Sequence, residues 1–346
     1  MKLKLLSLLI TSLFLIQINY AQVLFVNPSA GNDDDSGSIN KPFETLSKAV
    51  QTANELTGKG SINIKLFPGL YLLQDKVLIN PVRILDKTDR YTIEAATMPD
   101  DSSWTPEKMP VIQSVSNNNS TTQMPHSVGL LVSVDNVTVR GLKFIGNPNP
   151  SVSRYYPITR ENSTLKSLEV SQCYFIAEKN STSIQGGIWA HGQGTNVDHC
   201  IFYNCRNGVL LLGGVKNCSV TNSIILGAYQ SAFWIGAEDP AFVFNNNIIS
   251  NCNYFWIKLA FNKATYRFDD CIIVNNNHYT GINKNRQLHE TTEKYVENNV
   301  IKFGELQLVE KSDETLPFNY LHPVPGTLGY NYDVGIFKNQ INKQGT

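Results

Sequence analysis

Charge is scarce in this sequence. Only 17% of the residues are charged, and 29 basic side chains balance 29 acidic ones. Such a chain has no general field to draw in nucleic acid or an anionic surface, so any preference for a polyanion must come from a local cluster. No glycine-rich nucleotide loop, nucleophile elbow or zinc-like spacing of His and Cys occurs. No stretch after the start is long and apolar enough to cross a membrane. The start itself, Met1 to Ala21, has basic Lys2 and Lys4, an apolar run from Leu5 to Ile18 and small Ala21 before Gln22. This reads as a signal peptide and predicts a secreted or periplasmic, soluble protein.

What the chain has is a repeat. Val139, Val170, Val197, Val220, Phe244, Phe268 and Val296 open one short phrase. Three residues on stand Leu142, Cys173, Cys200, Ser223, Asn247, Cys271 and Asn299, and two further on Phe144, Phe175, Phe202, Ile225, Ile249, Ile273 and Ile301. Subtracting residue numbers gives separations of 31, 27, 23, 24, 24 and 28, a short, variable solenoid period. A second phrase lies within most periods: Gly187-Ile188-Trp189-Ala190, Gly208-Val209-Leu210-Leu211, Ala232-Phe233-Trp234-Ile235 and Tyr254-Phe255-Trp256-Ile257. Two β-rich phrases per period, broken by Asn and Gly with no room for a helix, predict an all-β fold, a parallel β-helix. A leucine-rich horseshoe needs its own Leu ladder and a propeller about forty residues per blade.

Six cysteines in an exported chain ordinarily suggest three disulfides. Here Cys173, Cys200 and Cys271 share one column and Cys205 and Cys252 another, which predicts free thiols filling small buried slots. Among the Asn residues, Asn247 and Asn299 are expected to bond coil to coil. Residues 42–56 place Phe43, Leu46, Ala49, Val50 and Ala53 on one helical face, with Pro42 suited to the first turn. A solenoid must cover its open apolar end, and this helix is the expected N-terminal cap. The acidic run at Asp33-Asp34-Asp35 lacks EF-hand spacing and reads as a solvated turn.

The run Asn27-Pro28-Ser29-Ala30-Gly31-Asn32-Asp33, then Lys41 to Leu46, Ala49-Val50, Ala53, and Ile64 through Pro68-Gly69 to Tyr71 resembles the opening of right-handed parallel β-helix proteins of the pectate lyase superfamily. It is similar to polysaccharide lyases of the chondroitinase B and alginate lyase type and to related β-helix domains of unknown function. The resemblance covers nearly all of residues 22–346, with the solenoid over 22–305 and a closing segment over 306–346 in which Tyr332 to Phe337 is the expected C-terminal cap. It implies a lysine base, an assisting arginine and calcium held by acidic residues. Where those lyases carry glutamates and then a lysine, this chain has Trp256-Ile257-Lys258-Leu259-Ala260-Phe261-Asn262-Lys263, and Tyr279-Thr280-Gly281-Ile282 replaces an arginine-histidine-glycine phrase. Calcium is therefore conceivable from the resemblance, but no acidic ligands for it are evident.

Strand alternation puts Trp189, Leu210, Trp234 and Trp256 on one outer face, with His191, Leu212, Gly236 and Lys258 in the next outward row. Sugar rings stack on exposed aromatic faces, so the tryptophans form a candidate polysaccharide platform; the alternative is that residues 97–127 or 146–166 pack over them as a satellite core. Residues 104–123 and 146–166 read as surface loops, the latter carrying Arg154, Tyr155, Tyr156 and Arg160. Beside the row lie Lys258 and His191 as candidate bases, with Arg286, Arg206 and Lys263 reaching in from turns. β-Elimination on a uronide needs a base at the carbon α to a carboxylate and a cation to neutralise that carboxylate. Glycoside hydrolysis needs two carboxylates instead, for which Glu238 and Asp239 are the candidates. The expectations are thus a monomeric polysaccharide lyase, then a glycoside hydrolase, then a non-catalytic glycan-binding or surface protein.

Overall fold

In the computed structural model, which describes residues 21–236, 242–262, 264–293, 295–311 and 315–338, the repeat columns stack as parallel strands. Val170 pairs with Val139 and Val197, Val197 with Val220, Val220 with Phe244, and Phe244 with Phe268. The second column stacks likewise from Phe144 to Ile273. Each coil contributes to three sheets, which among the described residues hold ten, nine and eight strands. Among the described strands of these sheets all pairing is parallel except one hairpin, His278–Lys284 with Gln287–Glu290; isolated bridges outside them, such as Leu308 with Pro323, include antiparallel ones.

Inward Val, Ile and Phe make one continuous core along the solenoid. Phe144, Phe175 and Phe202 stack with ring centroids 5.1 and 4.6 Å apart, each contact worth about 1 kcal/mol beyond burial. Between the ten- and eight-strand sheets the chain turns through a single left-handed residue, and the same column supplies it each time: Gln172, His199, Asn222, Asn246 and Asp270 all have φ between 51° and 54°. Asn and Asp tolerate that region best among side-chain-bearing residues. Asn246 donates to Asn222 Oδ1 at 2.7 Å, and Asn247 donates to the Val220 carbonyl. All six cysteines are buried thiols outside any disulfide, those of the two columns each directed at a carbonyl of the preceding coil.

The cap helix spans Leu46–Glu55 and buries Leu46, Ala49, Val50 and Ala53. It starts later than Pro42 because Thr45 is its N-cap, accepting from the Lys48 N–H at 3.1 Å. Asp33 is built into this cap, accepting from the Glu44 and Thr45 amides and the Thr45 hydroxyl. Its role is structural, not merely solvated.

Several expectations are corrected. Residues 155–160 are not loop but a buried strand of the nine-strand sheet, and 111–114 a strand of the eight-strand sheet. In the last coil Val296 pairs with Arg267, not Phe268, and Ile301 bridges to Ile272, not Ile273. This one-residue slip leaves Val296 exposed and sets Tyr295 against Phe268 and Trp256, with ring centroids 5.5 and 6.0 Å apart. The segment 332–337 forms no strand and does not close the end. Val334, Ile336 and Phe337 lie instead on the outer face of the eight-strand sheet, with Trp104, Ile201, Ile224, Ile248 and Ile272. The expected leader falls almost wholly outside the described residues, and among those residues no helix is long and apolar enough to cross a membrane.

Candidate functional site

The outer row of the nine-strand sheet follows the strand register. Thr159, Trp189, Leu210, Trp234 and Ile257 are successive partners. Trp256 is not among them. Between Ala228 and Ser231 stand two residues, Tyr229 and Gln230, whereas between Cys252 and Tyr254 stands only Asn253. The coil is one residue shorter there, so Phe233 pairs with Trp256 and Ile235 with Lys258. A one-residue slip exchanges the faces of a strand. Trp256 is accordingly 0% exposed and packed among Phe233, Phe244, Tyr266 and Phe268, so its expected place on the platform is withdrawn.

Lys258 moves with it. It occupies the inner row between Ile235 and Ile282, is 2% exposed, and its ammonium bonds both carboxylate oxygens of Glu293 at 2.7 and 2.6 Å. An ammonium this buried requires a partner. Lys258 clamps the chain over the C-terminal end of the solenoid and does not line the groove described next.

That groove, with a volume of about 870 Å³, runs across the nine-strand sheet along the solenoid axis. Its lining runs from Tyr156 to Asn283, across six neighbouring strands, or about 24 Å at the usual strand spacing. Trp189, Leu210 and Trp234 form the floor. Along the edge where strands begin rise Arg154, Gln185, Arg206 and Gln230; along the opposite edge lie His191, Leu212 and Gly213, with Gln123 and Met124 from the 115–126 loop. Arg286, Asn283 and Leu288 close one end from the hairpin. Of the expected site residues, the groove gathers Trp189, Trp234, His191, Arg206 and Arg286. Lys263, Glu238 and Asp239 lie outside the described residues.

The floor is only partly open. Trp189 is 1% exposed, with Tyr156 and His126 against its ring at 4.7 and 5.1 Å, whereas Trp234 is half-buried. The satellite core thus covers Trp189 and leaves Trp234 as the accessible ring. The cover is fastened from below. His126 is fully buried, with Nδ1 2.7 Å from the Met124 carbonyl and Nε2 3.0 Å from Glu161 Oε1, so both ring nitrogens face acceptors. Glu161 also accepts from the hydroxyls of Ser120 and Thr122. Burial pushes this carboxyl up, but the two hydroxyls and His126 outweigh it and hold the group below the usual carboxylate range.

His191 is held in one state. Its Nδ1 accepts the Gly213 N–H at 3.0 Å, an approach that needs glycine, since a Cβ at Gly213 would stand 2.7 Å from that nitrogen. With Nδ1 occupied, a neutral ring carries its proton on Nε2, 3.2 Å from the Gln123 side-chain nitrogen; because that NH2 group also donates, Gln123 must turn its amide oxygen to the ring for the contact to be a hydrogen bond. Burial pushes the imidazole below its usual range; the Glu161 charge opposes this and Arg160 adds to it. His191 is therefore a neutral donor near pH 7.

The groove arginines are not neutralised by carboxylates of the described residues. Arg154, Arg206 and Arg286 form no ion pair among the described residues, and no Asp or Glu of those residues lines the groove. Arg286 sits at the tip of a two-residue turn with Asn285 at φ 53° and itself at φ 64°. Glycine is the favoured residue there, so arginine is held at a cost of about 1 kcal/mol. The donor set does not suit calcium, and no cluster of three His, Cys, Asp or Glu is placed to hold a metal among the described residues.

Sequence reasoning missed Gln123, Gln185 and Gln230, because an amide within a turn carries no pattern of its own. Arg154 and Tyr156 were visible only as parts of an insertion.

Residues 113–301 match the family described as right handed beta helix region, more than half of the chain. The chain belongs to that family. This β-helix protein matches none of the curated proteins in sequence. Among solved structures it is similar to a rhamnogalacturonan lyase, with 14% identity, 78% of each chain covered and a TM-score of 0.47. It is also similar to a lacto-N-biosidase from Eubacterium ramulus, at 11% identity over 82% of this chain and 68% of that one with a TM-score of 0.42, and to a pectate lyase, at 16% over 83% and 78% with 0.39. At such identities the likeness concerns the course of the chain, not its chemistry.

Proposed function

We propose that the groove binds an extended acidic polysaccharide, one sugar ring stacking on Trp234 while arginines at the edge and the hairpin tip take its carboxylates. The observation that carries this reading is a cationic groove with an aromatic floor and no carboxylate among its described lining residues. The reaction class that fits such a site is β-elimination. Neutralising the uronate with Arg206 acidifies the α-proton; with no base among the described lining residues that proton leaves to solvent water, its electron pair forms the new carbon–carbon double bond, and the glycosidic oxygen departs with the Nε2 proton of His191, which solvent restores. His191 is then a donor rather than the base expected for it, and the lysine base implied by resemblance cannot be Lys258.

A second reading, binding without cleavage, is favoured by one feature of the lining. Among the described residues it offers no lysine, carboxylate or free imidazole lone pair, and the Tyr156 hydroxyl, pushed up to about 12 by burial, stays protonated. Hydrolysis finds no carboxylate pair among those residues.

The test is to incubate the protein with polygalacturonate, alginate and hyaluronate while following ultraviolet absorbance of the unsaturated uronide, new reducing ends and binding. Rising absorbance abolished by Arg206→Ala supports elimination. Binding with neither product supports the second reading, new reducing ends without absorbance support hydrolysis, and no binding to any of the three sinks the proposal.

A further inference from the structure

Arg206 is unusual among the groove arginines in being held by amides from two neighbouring coils. Its Nε donates to Gln230 Oε1 at 2.9 Å and one Nη1 hydrogen reaches Gln185 Oε1 at 3.4 Å. Gln230 is in turn fixed from beneath, because the same Oε1 accepts from Asn207 Nδ2 at 3.0 Å. Asn207 is fully buried, donates to the Gln185 carbonyl at 3.0 Å, and accepts from the buried Ser231 hydroxyl at 2.7 Å. Side chains of three successive coils therefore set the direction of one guanidinium, and every acceptor in the set is neutral.

That neutrality has a chemical consequence. A glutamate at either Gln position would hold Arg206 as well, but would cancel its charge and occupy the fork that pairs with a planar carboxylate. With amides there, three N–H groups of Arg206 remain and the charge is intact.

We infer that Arg206 is the carboxylate anchor of the groove and that Gln230, supported by Asn207, is the positioning residue that makes the groove select uronic-acid residues over neutral or esterified sugars. The inference rests on the groove being a polysaccharide site. Arg206 touches the ligand; Gln230 acts through it.

The experiment compares native protein with Gln230→Glu, Arg206→Gln and the double variant by calorimetric titration with polygalacturonate and with its fully methyl-esterified form. Gln230→Glu is nearly isosteric, and thermal melting verifies that it folds. Polygalacturonate binding is expected to weaken about 10- to 100-fold in each single variant, binding of the esterified polymer to stay unchanged, and the double variant to be no worse than Arg206→Gln alone. A merely structural role would alter both polymers together. Native-like binding of polygalacturonate by a folded Gln230→Glu variant overturns the inference while leaving the groove reading intact. Failure of the native protein to bind polygalacturonate, alginate or hyaluronate overturns both.

Discussion

Two outer faces of this solenoid carry apolar side chains, and they meet different fates. On the eight-strand sheet, Ile201, Ile224, Ile248 and Ile272 are covered by the protein's own tail, with Phe337 stacked on Phe318 and edge-on to Trp104. On the nine-strand sheet, Leu210 and Trp234 face a groove edged by arginines that no carboxylate of the described residues neutralises. An apolar row that a chain covers itself is core, whereas one left open beside unpaired cations is suited to a ligand that is apolar on its faces and anionic at its edge. A sugar acid has that form.

The comparison breaks first at its covered side. Phe337→Ala should cost about 3–5 kcal/mol in urea unfolding, as should Trp256→Ala. Trp234→Ala should stay within about 1 kcal/mol of native stability while weakening polysaccharide binding about tenfold or more. Equal destabilisation by all three would make Trp234 core and remove the floor of the groove.

A smaller effect separates the groove from the solenoid end. Glu293→Gln strands a buried ammonium and should cost about 3 kcal/mol, whereas Lys258→Met replaces the ion by a side chain of similar shape and should cost about 1 kcal/mol or less. If Lys258→Met abolishes polysaccharide cleavage at native stability, Lys258 belongs to the chemistry after all.

The smallest effect is on pH. Burial lowers the folded His191 value below the unfolded one of about 6.5, so above that pH the ring is neutral in both states and nothing is lost. As pH falls through about 6.5 the unfolded chain binds the proton first, and stability should decline by at most about 1.4 kcal/mol per unit. His191→Asn should flatten that part of the stability profile. An unchanged profile would mean the ring is not held neutral.

Much of this was legible in advance. The β-helix, its cap helix and the free cysteine columns all follow from spacing, as does the grouping of Trp189, Trp234, His191, Arg206 and Arg286 on one side. Trp256 and Lys258 were misplaced for one reason. The phrases Phe233-Trp234-Ile235 and Phe255-Trp256-Ile257 look alike and invite alignment, but one missing turn residue shifts the second phrase against the first. Residues 155–160 were hidden because Pro157 and the polar residues around that strand read as loop, although its side chains are buried.

Periodicity by itself determined the solenoid, because a repeated inward Val, Ile or Phe can bury its surface only by stacking coil on coil. It also determined which residue types stand at the turns, because a left-handed backbone selects them locally. Which tryptophan faces a ligand, which lysine is walled into the end and which arginine keeps its charge were decided only in three dimensions. Those outcomes depend on single-residue differences in coil length and on neutral amides brought from neighbouring coils, and neither leaves a periodic trace in the chain.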